Sequence, residues 1–108
     1  EGDLMICACG SANVGHENYI AKMAKDNGAA LALITPSNEG YLLSIADLTV
    51  SVPAAAYKAT GDFVPTEQLM GNLFEQALFI LYDVLVMMLR EEMGISKEEM
   101  VSRHRNVE

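Results

Sequence analysis

Two apolar runs, Leu4 to Cys9 and Ala29 to Thr35, stop at turn-forming residues, Gly10-Ser11 after the first and Pro36-Ser37-Asn38 after the second. Uninterrupted apolar runs of this kind are the pattern of strands buried on both faces in a parallel sheet. Between them Tyr19, Ile20, Met23 and Ala24 recur at helical spacing over Gly15 to Asn27, and Asn27-Gly28 supplies the stop. The second run leads into a short helix capped within Pro36-Ser37-Asn38 and reaching about Ala46. A third strand, Leu48 to Val52, follows and ends at Pro53. Ala54 to Pro65 shows no periodicity and reads as a long loop, a class of segment that often carries function. Thr66, with Glu67 in the first turn, caps a long helix that ends near Met93 at Gly94. Ser96 and Glu99 form a capping box for a last short helix.

Strands and helices that alternate with short connections predict an α/β fold, a three-layer doubly wound parallel sheet with right-handed crossovers. The stretch Leu69 to Met93 departs from a simple amphipathic helix. Leu73, Leu78, Leu81, Leu85, Met88 and Leu89 cover more than one face, which predicts burial on two sides, by the core and by a second subunit. A homo-oligomer, dimer or tetramer, is the expected partner state. The 108 residues amount to one domain or less, and 51% hydrophobic content suffices for a core. There is no initiator Met, and the first strand begins at once. The expectation is a partial domain over residues 1–108 whose N-terminal portion lies upstream.

The net charge of −8 argues against nucleic acid and anionic membranes as partners, because a phosphate backbone needs a positive footprint. Any phosphate ligand must instead be held by local donors. Ala77 to Leu89, the longest apolar stretch, contains Asp83 and is too short to span a bilayer, so no membrane partner is expected. Cys7 and Cys9 fall on the same side of one strand and are poorly placed to bridge each other. No further Cys or His completes a metal set. Reduced thiols in a cytoplasmic protein, without metal or other cofactor, fit this pattern.

Three places carry candidate chemistry. The turn Cys9-Gly10-Ser11-Ala12-Asn13-Val14-Gly15 joins a strand to a helix at the carboxyl end of the sheet, where ligands collect in open α/β folds. Exposed amides and small residues there make an anion cradle, although the same residues also serve tight packing. Gly10, Ser11 and Asn13 are its candidate phosphate contacts. Thr35 and Ser37 reach the same crevice, or serve only as strand end and helix cap. His16, just beyond the turn, reads as a surface residue. The second place is Glu75, set among apolar residues with Gly71 one turn earlier. A carboxylate drawn toward an apolar site acquires a raised pKa suited to a proton-transfer base, whereas on a solvated helix stripe it does no chemistry. The third is the terminus, Arg103-His104-Arg105-Asn106-Val107-Glu108.

The string Met70-Gly71-x-Leu73-Phe74-Glu75-Gln76, followed by Leu81-Tyr82-Asp83 and closed by Arg103-His104-x-Asn106-x-Glu108, resembles the 6-phospho-3-hexuloisomerases, sugar isomerase (SIS) domain enzymes of formaldehyde assimilation. The resemblance runs from Asp3 to Glu108 and corresponds to the C-terminal part of such an enzyme. It implies a SIS fold and conversion of 3-hexulose 6-phosphate to fructose 6-phosphate through an enediol, with no metal or nucleotide. By this resemblance Glu75 is the base. His104 assists ring opening or proton shuttling in a neighbouring subunit's site, and Arg103 neutralises phosphate or pairs with an acid. The family's phosphate turn resembles Ser-Gly-Ser-Gly-x-Thr; Gly10 and Ser11 match it, whereas Cys9, Ala12 and Val14 do not. Those departures leave two further readings open, a SIS module that binds sugar phosphate without turnover and an inactive truncated isomerase.

Overall fold

The computed structural model describes residues 2–104; Arg105, Asn106 and Glu108 of the terminal signature lie outside the described residues. Along the chain come β1 (Leu4–Ala8), α1 (Gly15–Asp26), β2 (Ala30–Thr35), α2 (Tyr41–Ile45), β3 (Leu48–Ser51), α3 (Asn72–Glu92) and α4 (Lys97–Ser102). The chain divides into two compact units, one through Leu78 and one from Phe79 onward.

The first unit is a parallel sheet in the order β1-β2-β3, with Cys7 paired to Leu33 and Val50 to Ile34. Its core gathers Cys7 and Cys9 from the first strand and turn, Leu31 and Leu33 from β2, Ala21 from α1 and Leu42 from α2. Cys7 and Cys9 thus share one face, as their spacing requires. The opposite face carries Ala8, Ile34 and Val50, and the start of α3 reaches it through Phe74, which is 4% exposed. Helices and loop on the two sides of a parallel sheet are the α/β arrangement expected from the alternation of elements. Asp47 locks the lower end, since its carboxylate accepts from Lys25 Nζ at 2.6 Å and from the Leu31 amide at 2.7 Å. Those two donors, the lysine first, hold its carboxyl below the ordinary value.

Several expected boundaries move. Only β2 is buried on both faces; Leu4 is 61% exposed and Leu48 60%. Both outer strands belong to the sheet's edges, so an apolar run signals a buried strand only where neighbours flank it on each side. The short helix is capped by Gly40 instead of a residue in Pro36-Ser37-Asn38, because the Ser37 hydroxyl bonds elsewhere. Thr66 opens no helix: its Oγ1 accepts from Gln68 N in a local turn, Met70 takes a left-handed φ of 58°, and α3 starts only at Asn72. A left-handed residue ends any helical path, which the apolar spacing could not show.

In the second unit Ser96 does cap α4, its Oγ accepting from Glu99 N at 3.0 Å. The helix α3 is not buried on two sides within the chain: Phe79 is 76% exposed, Met87 69% and Met88 62%. With 21 residues and an 18-residue stretch of mean hydropathy 1.5 it is long and apolar enough, by length and composition only, to cross a membrane. The expectation that the apolar stretch is too short is corrected, because the run from Ala77 to Leu89 is extended at both ends by residues of the same helix.

Candidate functional site

The turn after β1 is built by its backbone. Ala12 has φ 52° and is fully buried; its amide bonds Cys9 O at 3.3 Å and its carbonyl accepts from Leu42 N at 2.9 Å. This left-handed step redirects the chain into α1, whose N-cap Val14 offers no side-chain bond, so the first-turn amides are left for water or a ligand. Ser11 Oγ accepts from Asn13 N at 3.3 Å, and Asn13 Oδ1 accepts from Asn18 Nδ2 at 2.8 Å. With its carbonyl oxygen taken, Asn13 presents its amide NH₂ as a donor, the polarity an anion needs.

Gly10 is small for a reason visible here. A Cβ on it would stand 2.8 Å from the Ala56 side chain and 3.9 Å from Phe74 Cδ1. The loop after β3 and the first turn of α3 both close over this position. Phe74 points inward, and the next residue, Glu75, is thereby set at the edge of an open cleft of about 570 Å³. Gly10, Ser11, Asn13, Gly71 and Glu75 all line that cleft, so the structure brings the turn and the expected base together. Glu75 is exposed instead of drawn into an apolar site, although Met70, Phe74 and Leu78 line the same cleft. Its carboxylate folds toward Gly71, with Oε1 3.5 Å from where a Cβ on that glycine would lie. It takes part in none of the ion pairs among the described residues.

Thr35 and Ser37 stand at the carboxyl end of β2, as expected, but their hydroxyls face inward. Thr35 is fully buried; its Oγ1 accepts from Ser37 N at 3.1 Å and donates to Gly10 O at 3.5 Å. Ser37 is 6% exposed, and its Oγ donates to Glu39 O at 2.8 Å while accepting from Thr60 N at 3.2 Å, with Thr60 Oγ1 also 3.0 Å away. These bonds use the full capacity of a hydroxyl. Ser37 borders a second, smaller cleft of about 250 Å³ that shares Ser11 and Asn13 with the first. Lys58 lines both clefts and escaped the sequence reading, which took its loop as a kind of segment that often carries function but singled out no residue in it. A lone lysine in the loop of an acidic chain was the available signal.

Arg103 and His104 belong to the second unit. Arg103 follows α4 and pairs with Glu99, Nη2 to Oε1 at 2.5 Å, while the His104 amide bonds Val101 O at 3.1 Å. Among the described residues no group of three His, Cys, Asp or Glu side chains is gathered as for a metal ion.

Burial, and then the nearby Glu17 carboxylate, push the Cys9 thiol from 9.0 up to about 11, and Cys7 rises for the same two reasons. The fold therefore holds the neutral thiols. Their contribution is complete below about pH 9 and is lost as pH rises through the folded value. Denaturant titrations should show stability falling between about pH 9 and pH 11, by an amount on the order of 2 kcal/mol, and the Cys9→Ala variant should show a shallower fall.

Comparison with known proteins places this geometry in context. No family model matches the chain. A 3-hexulose-6-phosphate isomerase of Bacillus subtilis (strain 168) is 33% identical over 108 residues, covering 100% of this chain and 58% of that protein. One of Mycobacterium gastri is 34% identical over 107 residues, covering 99% and 53%. A solved structure described as that of an hypothetical protein superposes with a TM-score of 0.78 over 97% of this chain and 56% of the other, at 22% identity, which shows the fold alone. The chain thus spans somewhat more than half the length of the curated relatives it matches. The resemblance carried by Gly71-x-Leu73-Phe74-Glu75 is borne out as a likeness of the whole chain to the corresponding part of the 3-hexulose-6-phosphate isomerases.

Proposed function

We propose that the chain is part of an isomerase that converts 3-hexulose 6-phosphate to fructose 6-phosphate, with no metal or other cofactor. The observation that carries this reading is the cleft in which Glu75 faces a small-residue turn with free helix amides at the carboxyl end of a parallel strand. The curated relatives bear the name of that activity. In the open-chain sugar Glu75 removes the proton on C2, alpha to the C3 carbonyl, and O3 takes up a proton to give the 2,3-enediol. Loss of the proton on O2 forms the new carbonyl, and the proton held by Glu75 returns to C3. His104 serves ring opening or proton shuttling from a neighbouring subunit, and Arg103 serves phosphate or an acidic partner; both roles rest on the resemblance.

Fructose 6-phosphate incubated with the full-length protein in D₂O should gain deuterium at C3, which separates this reaction from an aldose–ketose exchange at C1. A module that only senses sugar phosphate would bind without exchange. Cys9, Ala12 and Val14 favour that second reading, since Val14 lacks the hydroxyl expected of a phosphate turn. An absence of deuterium with intact binding would establish it.

The exposed residues of α3 support a homo-oligomer of two or more chains. Asp83 lies near the middle of the helix, and a carboxylate at the centre of a bilayer costs a few kcal/mol, so a protein partner covers this helix better than lipid. Sedimentation without detergent should show a dimer or larger; a stable monomer would rule the interface out. Free, buried Cys7 and Cys9 suit a reducing cytoplasm.

A further inference from the structure

We propose that Lys58 supplies the cation for the ligand's phosphate, held at the turn by a pin between Ser37 and Thr60. The inference rests on the sugar-phosphate reading above and assigns a residue that neither sequence pattern nor resemblance singles out.

The argument begins with charge. A phosphate dianion entering this site approaches a chain of net charge −8, and the carboxylates of Glu75 and Glu39 line the larger and the smaller cleft respectively. Helix amides offset part of that field, but the turn lacks hydroxyls at Cys9, Ala12 and Val14. Among the described residues Lys58 is the one cationic side chain lining either cleft, and it lines both. The two clefts meet at Ser11 and Asn13, where the donors of the turn are concentrated.

Its position is fixed by the fold. Lys58 has φ 59°, a left-handed conformation that costs a non-glycine residue energy and persists only where the surroundings enforce it. Two contacts flank it. On one side Ala56 packs onto the bare Cα of Gly10. On the other, Thr60 donates its amide to Ser37 Oγ at 3.2 Å, and its carbonyl accepts from Asn38 N at 2.8 Å. The loop is thus clamped to the ends of β1 and β2, with Lys58 between the clamps. Its Nζ lies 5.2 Å from the Tyr57 ring centroid, an exposed contact that is easily given up. Ser37 acts through this loop as a positioning residue, which accounts for a buried hydroxyl whose bonds all stay within the chain.

The test titrates the full-length protein with fructose 6-phosphate, inorganic phosphate and unphosphorylated fructose, at low and high salt. Lys58→Met should weaken both phosphate ligands by about 10-fold, leave fructose unchanged and flatten the salt dependence. Lys58→Arg should restore most of the affinity. Thr60→Ala, which retains the amide bond but loses the hydroxyl contact with Ser37, should give a smaller loss of the same kind. Equal phosphate affinity in Lys58→Met and the parent, with the parent binding normally, overturns the role of Lys58 and leaves the isomerase reading intact. A parent that binds none of the phosphates overturns both.

Discussion

Replacing Glu75 with Gln should lower turnover by about 10² to 10⁴ while leaving sugar-phosphate binding in place. The amide keeps the size and hydrogen-bonding reach of the carboxylate but cannot accept a proton from carbon. The structure makes this substitution unusually clean. Glu75 is exposed at the cleft and holds no ion pair among the described residues, so its loss removes no bond on which the fold depends. Stability should change by no more than about 0.5 kcal/mol, as for other surface positions. What fixes Glu75 is its neighbour: Phe74 is buried against the Gly10 turn and sets the first turn of α3 at the cleft. Phe74→Ala would therefore confound activity with packing, and Glu75→Gln does not. The measurement is deuterium uptake at C3 of fructose 6-phosphate, compared with binding by titration. Full exchange in Glu75→Gln would assign the proton transfer to another group.

The success of the sequence reading follows from which interactions are local. The parallel strands, α1 and the Ser96 cap were legible because each is set by residues a few positions apart. Cys7 and Cys9 were placed on one face by strand alternation alone. The segment before α3 was misread because Thr66 and Glu67 satisfy the local rule for a helix start while the left-handed Met70 overrides it four residues later. The cleft lay beyond local rules altogether. It is assembled by Ala56 meeting Gly10 and by Thr60 meeting Ser37, contacts between residues 46 and 23 positions apart. No periodicity encodes such a meeting. Glu75 stood out by its apolar setting and matched the resemblance, but only the fold shows why Phe74 precedes it: the phenylalanine anchors and the carboxylate lies at the cleft. It also explains the glycine that the family pattern carries at the position of Ala12, where the backbone is left-handed with φ 52°.

Gly40→Ala should be the most damaging single-methyl change in the first unit, costing about 3 to 5 kcal/mol. Two effects combine. Gly40 caps α2 at φ 142°, a conformation that L residues rarely adopt. A Cβ built there would also stand 2.5 Å from Ala12 O and 2.8 Å from both the Ala12 carbonyl carbon and its Cβ. Those atoms are backbone or fully buried, so no flexible side chain can move aside. Relief requires the Ala12 carbonyl to shift, and that carbonyl accepts the Leu42 amide that ties α2 to the turn after β1. The variant should consequently lose phosphate affinity along with stability. Gly15→Ala provides the control: a Cβ there meets nothing within 4 Å, and the position begins α1. Alanine at that site should be neutral or stabilise by up to about 1 kcal/mol through lower chain entropy in the unfolded state. Denaturation midpoints of the two variants measured side by side decide the matter. Equal midpoints would mean that the α2 cap and the turn do not press on each other as the geometry requires.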